Sequence, residues 1–374
     1  MLPLPKFVLL VPLAFPTAAV AYGNEDHQLN RVWSRMADLR GEFGSVESAE
    51  FSRDSRFIVT GTKYDNTVRV FRTTDGVMQW ETELPAEIER VAWSGNGSQV
   101  VSVSEDHFMR VLDAQTGEIV KEIKQGNGMD SLALSNDGKI MAVGEEMKGD
   151  GGGKVVENST PVILYDAETW QEIRRVNQRA TANEISFAPD DSFFVVVGGN
   201  RLRIWETATG REIATTVPQG DPSRPVENRF ISAIVAPDGK HMAVGAQQGW
   251  VYLFTTPSGK FVRRFNKTGD KIETVEWTKD GKYILSAGKG NKIDFIAAEY
   301  ALDKKFDNNS LPIGLRIHVT DQLEYMNFNR DGSLLTTAHQ DGTVQLWTYM
   351  SDNPGINQRS HARLKRQQDR KFGK

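Results

Sequence analysis

Hydrophobic and polar positions in this chain alternate in short runs separated by turn residues, and the same arrangement recurs along the sequence. AEFSRDSRFIVTG, VAWSGNGSQVVSVS, LALSNDGKIMAVG, ISFAPDDSFFVVVG, AIVAPDGKHMAVG, VEWTKDGKYILSAG and MNFNRDGSLLTTA each join two apolar runs across a polar turn. A third run follows each of them: TVRVF, MRVL, VILY, LRIW, VYLF, KIDFI and TVQLW. Period-2 alternation of β-branched and aromatic residues between Asp-Gly or Asn-Gly pairs predicts antiparallel hairpins. Asn, Asp and Gly accept the positive φ that two-residue hairpin turns require. Several copies continue through TTDG, AQTG, TATG or TPSG into a more polar fourth run such as EIVKEIK or EIRRVN.

The second residue of each first turn marks the repeat: Ser55, Gly97, Gly138, Asp191, Gly239, Gly281 and Gly332, at spacings of 42, 41, 53, 48, 42 and 51. A base period near 42 with insertions is the length of a four-stranded propeller blade. The expected fold class is therefore all-β, a seven-bladed β-propeller of four-stranded antiparallel blades.

The Asp-Gly turn, an apolar strand and then DGTVQLW resemble the WD-repeat β-propeller family, over roughly residues 46–349. The aspartate that ends the family's third strand is kept in Leu112-Asp113 and Tyr165-Asp166, while Trp205 precedes Glu206 and Trp347 precedes Thr348. The family's Gly-His pair before the first strand is missing, which leaves open whether its buried His, Ser/Thr and Trp networks form. Turns such as Pro237 to Lys240 also occur in propellers resembling the Tol-system periplasmic protein. The LRIW and VQLW third strands favour the WD-repeat likeness.

The last copy has no fourth strand of its own, because the residues after Met350 are polar and charged. An open strand edge must be paired, and the family's solution is a strand from the N-terminus. Aligned with the preceding copies, Met36 to Gly41 take that place. Leu29, Val32, Trp33, Met36 and Leu39 also fall at helical spacing, so residues 25–39 could instead form an amphipathic helix.

The expected organisation is a leader over residues 1–21, an arm and closing strand over 22–45, the propeller over 46–350 and a basic tail over 351–374. MLPLPKFVLLVPLAFPTAAVA has one charge, an apolar run and Ala19-Val20-Ala21, the pattern of a cleaved secretory signal. With no cysteine, thiol catalysis, iron-sulfur clusters and cysteine-ligated zinc are excluded. An exported protein, periplasmic or secreted, is expected. The tail carries +5 and residues 22–350 carry −10 within a total of −4, so the tail could hold an anionic partner.

Candidate chemistry is sparse. Asp54, Asp137, Asp238, Asp280 and Asp331 recur in one hairpin slot, as turn residues do and catalytic residues need not. His107, His241 and His339 lack neighbours at metal-binding spacing. The run from Gly149 to Lys154 lacks the P-loop gap and the following Ser/Thr. Trp93, Trp205, Trp277 and Trp347 lie within strands and are expected to fill space between blades.

The resemblance implies a non-catalytic interaction scaffold, most often a monomer, that binds protein partners through loops on one face. On the connections between second and third strands this points to Tyr64, Glu105, Gln247, Lys289, His339 and Gln340, together with the insertion from Met147 to Thr160. The insertion from Tyr300 to Ile313 belongs on the opposite face. Neither a cofactor, a metal, a nucleic-acid partner nor a membrane span is expected. The alternatives are an envelope carbohydrate or ligand binder, or a propeller enzyme resembling quinoproteins or lactonases, which would need a cofactor or a carboxylate-lined metal centre on the axis.

Overall fold

The computed structural model describes residues 29–37, 44–146, 161–216, 229–265, 269–303, 311 and 313–349. The leader, the tail and the insertion 147–160 lie outside them. The first strand, β1 (Leu29–Met36), stands apart in sequence from the blade it completes. Blade 1 is a meander of β2 (Val46–Phe51), β3 (Phe57–Thr62), β4 (Thr67–Arg72) and β5 (Met78–Glu83). Five further four-stranded meanders follow over residues 88–124, 129–177, 184–216, 230–265 and 272–318. The seventh is assembled from both ends of the described chain in the order β1, then 343–349, 334–339 and 323–328.

Each blade's middle strands are almost wholly buried, as in Phe193–Gly198, while outer strands such as Ile119–Lys124 are mostly exposed. This follows the hydropathy of the runs: strands flanked on both sides by neighbouring blades must be apolar on both faces. The tryptophans Trp93, Trp205, Trp277 and Trp347 are buried in the clusters between blades. A short helix, α1 (Ala298–Leu302), occupies the connection between the third and fourth strands of blade 6. Among the described residues no helix is long and apolar enough to cross a membrane.

All seven marker residues have positive φ, from 57° at Asp191 to 81° at Gly138. The turns are longer than the expected two residues. In blade 1 the Ser52 N–H donates to Phe57 O and the Ser55 N–H to Ser52 O, so four residues separate the paired ends. Asp54 Oδ1 accepts from Ser52 Oγ at 2.7 Å and from the Arg56 N–H at 3.1 Å. Asp137 and Asp280 repeat this arrangement with Ser135 and Thr278. The turn aspartates are thus consumed by their own loops.

The ring closes through an N-terminal strand, but seven residues earlier than the alignment placed it and without the helix. Leu29 pairs with Tyr349 and Met36 with Thr343, antiparallel, with a bulge between Arg31 and Trp33. Val32 and Met36 of the supposed apolar helical face are 48% and 46% exposed. The open edge of 343–349 supplies a full ladder of hydrogen bonds, which an isolated short helix cannot match. Trp33 fits between blades 7 and 1 against Phe51, Ile58 and Leu346, and its Nε1 donates to Thr73 O at 2.8 Å. Arg35 Nη2 donates to Asp75 O at 2.6 Å, and Arg69 Nη1 donates to Ala37 O.

Trp33→Ala is expected to cost about 3 kcal/mol or more by leaving a cavity at the closure seam. Val32→Ala, four-tenths or more exposed on the same strand, is expected to fall within about 0.5 kcal/mol of wild type. Denaturant unfolding of both variants measures the difference, and equal midpoints would refute the placement of the seam.

Candidate functional site: an acidic channel mouth

The inner strands of the blades face the propeller axis, and six of them share one irregularity near their start. The ladder shifts register between Val46 and Ser48, Ile88 and Arg90, Met129 and Ser131, Phe230 and Ser232, Ile272 and Thr274, and Leu323 and Tyr325. A bulge leaves the skipped residue out of the ladder and re-aims its side chain. The skipped residues are Glu47, Glu89, Asp130, Ile231, Glu273 and Glu324. Five of these six are acids. They lie at the end of the ring where blades connect to one another and where second strands turn into third strands.

Burial opposes the ionisation of three of them. Desolvation pushes Glu89 up to about 8 and Asp130 to about 6, and it raises Glu47; ring carboxylates add to the shifts of Glu89 and Glu47, and Glu105 to that of Asp130. Lysines offset part of the charge. Lys63 Nζ lies 3.9 Å from Glu89, Lys271 Nζ is 2.7 Å from Glu273, and Lys289 Nζ bridges Glu273 at 3.4 Å and Glu324 at 2.7 Å.

The loop residues named from sequence fall on this face, with one exception. Tyr64 is 48% exposed beside Lys63, and Glu105 and Gln247 are also exposed. Lys289 is half-buried in its bridge, and Gln340 Nε2 donates to Glu324 Oε1, which joins both to the acidic ring. Glu105, Asp130 and Glu146 each place a carboxylate oxygen within 4.8 Å of the others, and among the described residues they are the group able to hold a metal ion.

His339 is the exception, because it is fully buried and cannot meet a partner. Its Nε2 lies 2.8 Å from Thr337 Oγ1, Trp347 Nε1 donates to that same oxygen at 3.0 Å, and its Nδ1 is 3.4 Å from Asp321 O. Because the Asp321 carbonyl can only accept, the neutral histidine donates from Nδ1 and its Nε2 accepts from the Thr337 hydroxyl. Burial lowers the His339 pKa and keeps the ring neutral. Blade 7 thus forms a buried His-Thr-Trp relay although no Gly-His pair precedes its first strand. Trp205 and Trp277 have no partner for Nε1, so the relay is not repeated in their blades.

Sequence reasoning overlooked Glu47, Glu89, Asp130, Glu273 and Glu324. The signal was present as an acidic column at one position of the aligned repeats, but nothing in a single copy marks it.

Residues 33–72 and 314–348 match the family described as "WD domain, G-beta repeat". The chain is 25% identical over 260 residues to "Serine-threonine kinase receptor-associated protein" of Gallus gallus, covering 68% of this chain and 67% of that protein. It is 24% identical over 242 residues to "Eukaryotic translation initiation factor 3 subunit I" of Aspergillus terreus, covering 62% and 68%. It is 25% identical over 256 residues to "Protein LST8 homolog" of Drosophila melanogaster, covering 65% and 72%.

Glu47, Glu89 and Asp130 hold protons in the folded state that the unfolded chain, with ordinary values of 4.5 for Glu and 3.8 for Asp, has already released. Their contribution is complete below those values and is lost as pH rises toward about 8. The turn aspartates, whose pKa values are depressed, act oppositely, but only below the ordinary carboxylate range. The melting temperature is therefore expected to fall from about pH 5 to about pH 8, and Glu89→Gln should flatten that slope. A wild-type slope of zero or rising sign in thermal melts would contradict the assignment.

Proposed function

We propose that this chain, a WD-repeat β-propeller of seven blades, is a non-catalytic interaction scaffold that takes a basic protein segment on the acidic face of its ring. The observation that carries this reading is the convergence of Glu47, Glu89, Asp130, Glu273 and Glu324 at one end of the axis. Exposed Tyr64, Glu105 and Gln247 surround them. Acids concentrated in a concave mouth attract basic groups and raise their local concentration, and an exposed tyrosine supplies apolar contact with a polar end. Relatives named as a receptor-associated protein and as a subunit of an initiation factor are consistent with a scaffold role.

The same reading has the protein exported, on the strength of residues 1–21 and the absence of cysteine. It is tested by N-terminal sequencing of the protein from its host, which should begin at Tyr22; retention of residues 1–21 would exclude cleavage. A stoichiometric metal or chromophore in protein purified from that host would overturn the non-catalytic reading.

For the face itself, Tyr64→Ala/Glu105→Lys is expected to lose a partner captured from the host by the wild-type chain, with binding weakened at least about tenfold and steeply by salt. Reversal of Glu118 on the outer surface should leave capture unchanged. The opposite pattern would move the interface to the outer strands.

A further inference from the structure

Below the acidic mouth the axis opens into a second chamber of about 210 Å³ on the opposite side, toward the first turns of the blades. Its wall includes Glu50 of blade 1, Glu184 of blade 4 and Glu276 of blade 6. Those blades stand on three sides of the axis. Arg53 and Asn136, from the first turns of blades 1 and 3, line its outer end, with Arg53 Nη2 donating to Asn136 O at 3.1 Å.

Glu50 is half-buried, and Glu184 and Glu276 are buried with few partners. Glu184 is 8% exposed, and its side chain forms neither a side-chain hydrogen bond nor an ion pair among the described residues; only the Ile185 N–H donates to it. Glu276 is 5% exposed, lines the chamber and accepts the Trp277 N–H on Oε2 at 3.3 Å. Glu50 Oε1 accepts from Tyr325 Oη at 2.6 Å and from Asn327 Nδ2 at 3.3 Å. The facing cations are Arg53 at the outer end, Arg90 and Lys279. Arg90 lies over the Tyr325 ring, 5.3 Å from its centroid, between the chamber and the upper ring, and interacts with Glu184. Exposed Lys279 acts on Glu50 and Glu276 from the turn of blade 6.

We infer that this chamber binds a small organic cation of ammonium or guanidinium type, admitted from the face of the first turns. Buried carboxylates need either a proton or a counter-charge; Arg90 is the one interior guanidinium facing the three, and Arg53 at the outer end is turned to Asn136 O, so negative charge remains to be matched inside. A bare divalent ion fits poorly, because it draws its oxygens to about 2.0–2.6 Å. Among the described residues the acids close enough together for that are Glu105, Asp130 and Glu146. An organic cation spreads several N–H donors over a wider span, and the chamber's volume admits a ligand of only a few heavy atoms.

Unoccupied by a cation, the carboxyls carry protons. Burial pushes Glu50 up to about 8 and Glu184 and Glu276 to about 7. A cation that enters at neutral pH must therefore displace protons into the buffer, which a merely structural cluster would not do on addition of ligand.

The test is calorimetric titration of the full chain near neutral pH with agmatine, with putrescine and with magnesium chloride, in two buffers of different ionisation heat. The expected result is one saturable site for agmatine or putrescine with net proton release. In Glu184→Gln/Glu276→Gln the affinity should drop at least about tenfold while the thermal transition persists. Agmatine binding alone identifies the guanidinium, and equal binding of both identifies the ammonium. Should the double variant fail to fold, Glu276→Gln alone must release fewer protons than wild type. Absence of saturable heat, binding of magnesium alone, or binding and proton release unchanged in the variants overturns the inference. The site lies on the other face from the acidic mouth, so Tyr64→Ala/Glu105→Lys should leave it intact and the two readings fail separately.

Discussion

Closure of the seventh blade is the constraint on which the rest of this structure depends. Residues 323–349 provide only three strands, and their outer edge would expose a row of unpaired backbone groups. Leu29–Met36 fills that edge and anchors itself across the seam through Trp33, Arg35 and Arg69. The two ends of the propeller are thereby joined. Without that joint the inner strands would have no reason to form a ring, and acids separated by more than forty positions would not meet.

Once the ring is closed, adjacent inner strands are coupled by hydroxyl groups. Ser48 Oγ accepts the Val91 N–H, Ser186 Oγ the Val235 N–H and Ser232 Oγ the Val275 N–H, at 3.0 to 3.1 Å. These bonds satisfy backbone donors that would otherwise be buried unpaired between blades. They also fix the strands tightly enough that one bulge, repeated, stacks side chains into a ring. The charge gathered there opposes folding, since each buried carboxylate is desolvated and faces others of its sign. The protein tolerates it through Lys63, Lys271 and Lys289 above and Arg90 between the two layers, and by holding protons. Stability is given up along the axis, where a charged ligand would restore it.

Much of the architecture was legible because it is local. The seven marker positions all adopt positive φ, and a residue's tolerance of that conformation is a property of its own side chain. The alternation within runs likewise reports which strands are flanked on both sides. The closing strand was misplaced because Leu29, Trp33 and Met36 satisfy a helical spacing as well as a bulged strand. Only the free edge of 343–349 distinguishes the two. His339 was misjudged for a related reason: a histidine at the end of a strand faces solvent or core according to whether a partner such as the Thr337 hydroxyl, itself held by Trp347, waits for it inside.

The sequence by itself determined the repeat, its seven copies and the positive-φ turn positions, because each rests on short-range periodicity and backbone preference. Tertiary structure alone decided that Glu47, Glu89, Asp130, Glu273 and Glu324 form one ring and that Glu50, Glu184 and Glu276 form one chamber. Electrostatic coupling and desolvation depend on distance through space, and those distances exist only after the first described strand has paired with the last.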